Sequence, residues 1–194
     1  MGAGADTAPR LRYIALLRGV NVGRAKRIAM ADLRKLVEDL GYTGVRSLLN
    51  SGNIVFDAAI PPVDAAQEIE AAMALHLGVS ARVFVFACHE VAEIIDDNPL
   101  LHVATDHARL FVFLLAGAPQ RALAADLCGQ DWAPESMAPG RHAVYVWCPQ
   151  GLLDSAAAAA LGKRLGDGAT SRNWNTMIKL HGLCQDGAIG QAPA

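Results

Sequence analysis

Cationic and neutral donor side chains cluster around two short turns in the first quarter of the chain. The first turn lies in the stretch YIALLRGVNVGRAKRIAM, residues 13–30. Its cations are Arg18, Arg24, Lys26 and Arg27. The neutral polar residues of the two turns are Asn21, Asn50, Ser51 and Asn53. Guanidinium, ammonium and amide N–H groups are the donors with which proteins hold phosphates and carboxylates. These residues therefore predict an anion site, provided that the fold brings the two turns together.

The hydrophobic pattern of the first half predicts the elements that would position these residues. It indicates strands over 13–18, 45–49, 54–56 and 82–86, and helices over 30–40 and 63–77. The strands are short apolar runs, whereas the helices repeat apolar residues every three or four positions. The order is β-α-β-β-α-β, which is the ferredoxin-like or split-βαβ pattern.

The second half reads as a looser copy of the first. A short helix over 90–97 precedes strands over 109–115, 132–137 and 143–147 and helices over 120–128 and 155–165. A further helix is expected from Thr170 onward, where the last strand of a complete copy would lie. The predicted fold is α+β, with two ferredoxin-like βαββαβ-type lobes, antiparallel sheets, and extra helices ending the second lobe.

The same pattern divides the chain into four segments. Residues 1–10 and 187–194 are predicted to be flexible termini, residues 11–87 the first lobe, and residues 88–186 an α/β second lobe. Strands that are apolar on both faces must be buried on both faces, and packing against the other lobe would bury the second face. We therefore expect the two lobes to pack as one globular body.

The predicted wiring places both turns at one edge of the first sheet. Right-handed crossover makes strands one and two parallel, and the Asn50–Asn53 turn then reverses the chain. The loop after strand one and the start of the first helix therefore meet that turn. The unpaired N–H groups and the dipole of a helix N-terminus favour an anion there.

A second Arg- and Asn-bearing stretch, SRNWNTM, occurs near the other end of the chain. As a helix, it places Arg172 and Asn175 on one face and Trp174 in the core. We expect Arg172 and Asn175 to face the same edge as the first basic turn, and Arg172→Ala to affect ligand binding but hardly folding. The alternative is that Arg172 pairs with a surface carboxylate such as Asp167.

Charge is unevenly distributed along the chain. The net charge is −2, yet residues 1–50 hold nine Lys or Arg against four Asp or Glu, a balance of +5. The remaining residues hold eight against fifteen, a balance of −7. No apolar run reaches the roughly 18–20 residues that a membrane helix needs. A cytoplasmic protein without a membrane partner is expected, with its four cysteines reduced and mostly buried.

Familiar catalytic and cofactor motifs are missing from the sequence. There is no GxGxxG after the first strand, no P-loop and no GxSxG elbow. The histidines show neither HxH nor HExxH spacing, and Cys88 and His89 would point to opposite faces of a strand. No metal and no cofactor are therefore predicted, and catalytic residues remain unassigned.

The two ends of the chain carry a family resemblance. The stretch YIALLRGVNVGRAKRIAMADLRKLVEDLGYTGVRSLLNSGNIVF resembles the opening of the bacterial family named domain of unknown function 1697, and ATSRNWNTMIKL resembles its closing motif. Members typically show a second Gly and more lysines in the loop, where this chain has Gly23-Arg24 and Lys26. The resemblance implies a two-lobe α/β fold and no established activity.

The leading interpretation is a protein that binds an anionic ligand, a nucleotide or a nucleic acid, at the basic edge of the first lobe. Two alternatives remain open at this stage. One is a small enzyme acting on a phosphorylated metabolite, although neither signature stretch offers a general base except Asp32. The other is a structural or partner-binding module, in which the basic loop is a solvated turn.

Overall fold

The computed structural model describes residues 9–21 and 27–186. Most of the predicted terminal segments, together with Arg24 and Lys26 of the basic loop, lie outside the described residues. The strands are β1 Leu11–Leu17, β2 Thr43–Leu48, β3 Asn53–Ala58, β4 Val83–Ala87, β5 Leu110–Leu115, β6 Ser136–Pro139, β7 Ala143–Trp147 and β8 Ala169–Asn173. The helices are α1 Met30–Asp39, α2 Pro62–Leu77, α3 Cys88–Asp96, α4 Ala118–Cys128, α5 Ala156–Leu165 and α6 Trp174–Gln185.

These elements form two antiparallel four-stranded sheets with the same strand order. The first sheet is ordered β2-β3-β1-β4 and the second β6-β7-β5-β8. Each sheet contains a β-α-β-β-α-β succession, so the fold is α+β and consistent with two ferredoxin-like lobes. The repeat in the second half is thus more complete than the sequence indicated.

The strand β8 corrects the expectation that a helix begins at Thr170. Residues Ala169–Asn173 pair with β5, and the helix begins only at Trp174, with Asn173 as its cap. The Asn173 side chain accepts from the Thr176 N–H at 3.0 Å, which satisfies a free donor of the first turn. Arg172 and Asn175 therefore lie on different elements and do not share a helix face.

The central strands alternate their side chains between two separate cores. Ile14 and Leu16 of β1 face a core between the two sheets, whereas Tyr13, Ala15 and Leu17 face a core under α1 and α2. The second sheet does the same, sending Leu110, Val112 and Leu114 toward the first lobe and Phe113 and Leu115 toward α4 and α5. This period of two explains why both strands read as continuous apolar runs.

Helices α3 and α6 form the layer between the two sheets. Val91 and Ile94 of α3, with Trp174, Met177 and Leu180 of α6, join the core that both sheets share. A single apolar core therefore connects the lobes.

A disulfide joins these two middle helices, which corrects the expectation of four reduced cysteines. Cys88, the first residue of α3, is bonded to Cys184 in the last turn of α6, with their Cα atoms 5.5 Å apart. Cys128 and Cys148 are free thiols. A sequence separation of 96 residues gives no local spacing from which the bond could be predicted.

Candidate functional site

The two turns predicted to form an anion site lie together at one edge of the first sheet. The Leu17 N–H at the end of β1 donates to the Gly52 carbonyl at 2.8 Å. Gly52 has a φ of +71°, and a Cβ there would lie 2.5 Å from Val20 Cγ2 and 2.7 Å from Leu17 Cβ. Only glycine allows the turn to approach β1 this closely.

Asn21 uses its side-chain amide to close the basic loop. Its Nδ2 donates to the carbonyls of Ile28, at 2.9 Å, and Asn50, at 2.7 Å, and its Oδ1 accepts from the Ile28 N–H at 2.8 Å. The residue adopts a φ of +56°, a conformation that Asn tolerates better than most residues. Both donors of the Asn21 amide are therefore engaged in positioning the loop and the turn.

Asn53 and Ser51 hold the turn itself. Asn53 is fully buried, and its Nδ2 donates to the Leu48 carbonyl at 3.0 Å and to Ser51 Oγ at 2.9 Å. Its Oδ1 accepts from Arg172 Nε at 2.5 Å. The polar groups of these two predicted ligand-binding residues therefore form hydrogen bonds within the protein.

Arg172 reaches from the second lobe into this edge of the first. It lies opposite Val112 in the pairing of β8 with β5, so its side chain points to the same face as Val112, toward the first lobe. Nη2 donates to the carbonyls of Leu17, Ser51 and Gly52 at 2.9, 3.2 and 3.4 Å.

The remaining contacts of Arg172 keep its guanidinium within neutral surroundings. Nη1 donates to Thr170 Oγ1 at 3.1 Å and to the Ser171 carbonyl at 2.7 Å. Burial lowers the pKa of Arg172 to about 10, which leaves it cationic at neutral pH. Among the described residues no carboxylate forms an ion pair with Arg172, so a desolvated cation is held by neutral acceptors alone.

The carboxylate of Asp167, which the sequence suggests as a partner of Arg172, pairs with Arg18 instead. Arg18 Nη1 lies 3.5 Å from the Asp167 carboxylate, and this carboxylate side chain is 87% exposed. Arg18 and Arg172 both line a cavity of about 300 Å³ between the lobes. An exposed ion pair of this kind contributes only about 0–1 kcal/mol to stability, so an anionic ligand could displace Asp167 at little cost.

The start of α1 opens into a separate cavity of about 430 Å³ on the same edge. Its lining residues are Asn21, Arg27, Ile28, Ala29, Met30 and Asn50. Ala29 caps α1 with an extended backbone and no side-chain hydrogen bond to the first turn. Of the predicted site residues that line this cavity, Arg27 and Asn50 are exposed, whereas the Asn21 amide is engaged with Ile28 and Asn50.

Asn175, although predicted as a site residue, does not line either cavity at the basic edge. It is exposed in the first turn of α6. Arg24 and Lys26 lie between Asn21 and Arg27 in the sequence, outside the described residues.

Two kinds of feature are absent from the part of the chain that the structure describes, namely a cluster of metal ligands and a membrane-spanning helix. Within residues 9–21 and 27–186, no group of three or more His, Cys, Asp or Glu residues could hold a metal ion. No helix in those two ranges combines the length and apolarity required to cross a bilayer.

Comparisons with known proteins agree with this architecture. A solved structure of a conserved bacterial protein from Streptococcus pneumoniae superimposes with a TM-score of 0.75, at 23% sequence identity, covering 91% of this chain and 99% of that one. At this identity the likeness concerns the fold alone. No curated protein matches the sequence. The profile described as "Protein of unknown function (DUF1697)" matches residues 11–145. Because this match spans well over half of the 194 residues, the chain belongs to the DUF1697 family.

Proposed function

We propose that the protein binds a phosphate-bearing ligand, a nucleotide or a nucleic acid, at the basic edge of the first lobe. The observation that carries this proposal is the 430 Å³ cavity at the start of α1, where Arg27 and Asn50 flank a first turn without a side-chain cap. The backbone N–H groups of a first turn without a side-chain cap, together with a cationic side chain that lines the same cavity, suit an oxyanion.

The size of the expected interaction argues for a ligand larger than inorganic phosphate. A helix N-terminus contributes about 0.3–1 kcal/mol and an exposed charge pair about 0–1 kcal/mol. Such terms give a lone phosphate only an affinity in the millimolar range. A cavity of about 430 Å³ lies within the range that small-molecule sites occupy, and a nucleotide could use it for further contacts.

Calorimetric titration with a nucleoside diphosphate tests the cavity directly. We expect Arg27→Ala to weaken binding about three- to tenfold, because one charge-assisted hydrogen bond is lost. Lys35→Ala is the matched control, since Lys35 is an exposed cation of α1 whose ion pair, within the described residues, is with Asp39 at 2.9 Å. Equal affinity of wild type and Arg27→Ala for the nucleotide would contradict the assignment of the site.

Salt dependence tests the nucleic-acid form of the proposal. If Arg18, Arg24, Lys26 and Arg27 all meet phosphates of one single strand, log K should fall with log salt at a slope of about −3. Replacing the last three by Ala should flatten the slope to about −0.7 and leave the thermal midpoint nearly unchanged. An oligonucleotide whose binding is independent of salt, or absent at low salt, would exclude nucleic acid as the ligand.

A further inference from the structure

A second groove runs between the lobes, away from the cavity at α1. It has a volume of about 430 Å³ and is lined by β4, by α2 and by residues 115–117 and His142 of the second lobe. It shares Gln67, Glu70 and Arg82 with a wider cavity of about 790 Å³ that reaches Arg18 and Asp167. We call this space the interlobe groove; it has a narrow end at His142 and a wide end at Arg82.

One wall of the interlobe groove is the open edge of a sheet. The strand β4 is the last of its sheet and, among the described strands, pairs with β1 alone. The Arg18 N–H donates to the Arg82 carbonyl at 2.8 Å, so Arg82, Phe84 and Phe86 direct their backbone groups to β1. By the same alternation, Val83, Val85 and Ala87 direct theirs into the groove.

Two carboxylates limit the part of this edge that can pair. Glu70 Oε1 accepts from the Val83 N–H at 2.7 Å, and Glu90 Oε2 accepts from the Ala87 N–H at 2.8 Å. The N–H and C=O of Val85 lie between them. The edge therefore has room for a short extended segment rather than for a long strand.

The charges at the two ends of the interlobe groove differ. At the narrow end, Glu90 and His142 line the groove, and Glu90 Oε1 lies 3.7 Å from His142 Nδ1, longer than a hydrogen bond. His142 Nε2 is held at 2.8 Å by Glu93, outside the lining. At the wide end, Arg82 and Arg18 balance Glu70 and Asp167. The narrow end is therefore suited to a cationic group.

We propose that the interlobe groove binds peptides with a free amino terminus as a short strand antiparallel to β4. The peptide ammonium would lie at Glu90, a backbone amide would pair with Val85, and the chain would continue into the wide end near Arg82. Parallel binding would instead place the ammonium beside Arg82. Val63 and Ala66 of α2 supply an apolar wall for side chains. Strand addition at a sheet edge and capture of a terminal amine are both established modes of peptide recognition.

The test uses the full chain and the probe Ala-Val-Ala amide, with its N-acetylated form as the comparison. Nuclear magnetic resonance titration should show a shift of the Val85 amide signal. Acetylation and Glu90→Gln should each weaken binding about tenfold or more, because each removes an ion pair to a half-buried carboxylate. Glu38→Gln, an equal loss of charge at an exposed position of α1, should leave the affinity unchanged.

A backbone variant separates strand pairing from simple charge attraction. Val85→Pro removes the outward N–H but leaves the ladder with β1 intact, a position at which sheets accept proline. It should weaken binding about fivefold or more, whereas Val85→Ala should not. Equal binding of free and acetylated peptide, no effect of Val85→Pro, or no binding up to about 5 mM would each overturn the proposal. Arg27→Ala should have no effect, so this result is independent of the proposed anion site.

Discussion

Arg172→Ala is expected to lower the free energy of unfolding by about 3–5 kcal/mol. The guanidinium donates to Asn53 Oδ1, to Thr170 Oγ1 and to carbonyls on both lobes. Truncation would leave buried acceptors without donors, and the cost of such groups is about 1–3 kcal/mol each. Removing a desolvated cation is itself favourable, so the net loss of stability is smaller than the summed cost of the unsatisfied acceptors.

Urea unfolding of matched variants measures this effect. Arg46→Ala is the control, because Arg46 is an exposed cation with one ion pair, 3.6 Å from Asp186, and should change stability by less than about 1 kcal/mol. Arg172→Lys keeps the charge but not the planar fork, so it should recover only part of the stability. A stability of Arg172→Ala within about 1 kcal/mol of wild type would mean that the contacts across the lobes contribute little.

This expectation reverses what the sequence suggested for Arg172. The sequence places Arg172 on a helix, where it would bind ligand and contribute little to folding. Its position on β8 opposite Val112 instead turns it toward the first lobe. The expected proximity to Arg18 holds, since both line one cavity, but the partners of Arg172 are backbone carbonyls. A sequence shows that a donor is present, and only the fold shows what it donates to.

The topology of the first lobe could be predicted because its signals are local. Periodicities of two and of three to four residues locate β1 to β4 and both helices, and the strand order follows from handedness. The strand β8 was missed because Thr170–Asn173 is polar and leads directly into an apolar helix. As an edge strand it needs only one partner, so its sequence carries little of the apolar signal typical of a central strand.

The candidate sites, too, could be predicted only where local sequence signals were sufficient. The basic edge was found from residue types around two turns, yet four of its neutral or cationic members, Asn21, Ser51, Asn53 and Arg172, serve the fold. The interlobe groove was not foreseen. Its ionic residues come from α2, from the residue before β4, from α3 and from the turn before β7, so no spacing in the sequence connects them.

Reduction of the Cys88–Cys184 disulfide is expected to lower the thermal midpoint by about 9–19 °C. The bond closes a loop of 96 residues between α3 and α6, the two helices that lie between the sheets. A cross-link of that span restricts the unfolded chain by about 4.7 kcal/mol, and each kcal/mol corresponds to about 2–4 °C for a chain of this size. Differential scanning calorimetry with and without a dithiol measures the shift.

The accessibility of the two sulfur atoms predicts that reduction of the folded protein is slow. Cys88 is half-buried, whereas Cys184 is 6% exposed. A thiolate that attacks the more accessible Cys88 must expel Cys184, which lies in the last turn of α6, where the helix dipole disfavours a negative charge. Mild denaturant should therefore accelerate reduction strongly.

Cysteine variants distinguish the cross-link from other effects of a reductant. Cys88→Ser/Cys184→Ser should reproduce the lowered midpoint and make it insensitive to dithiol. Cys128→Ser, which replaces a half-buried free thiol, should shift the midpoint by less than about 4 °C and remain sensitive. If dithiol leaves the wild-type midpoint unchanged while mass spectrometry shows both thiols alkylated, the middle layer is held by packing of α3 against α6, and the disulfide adds little to it.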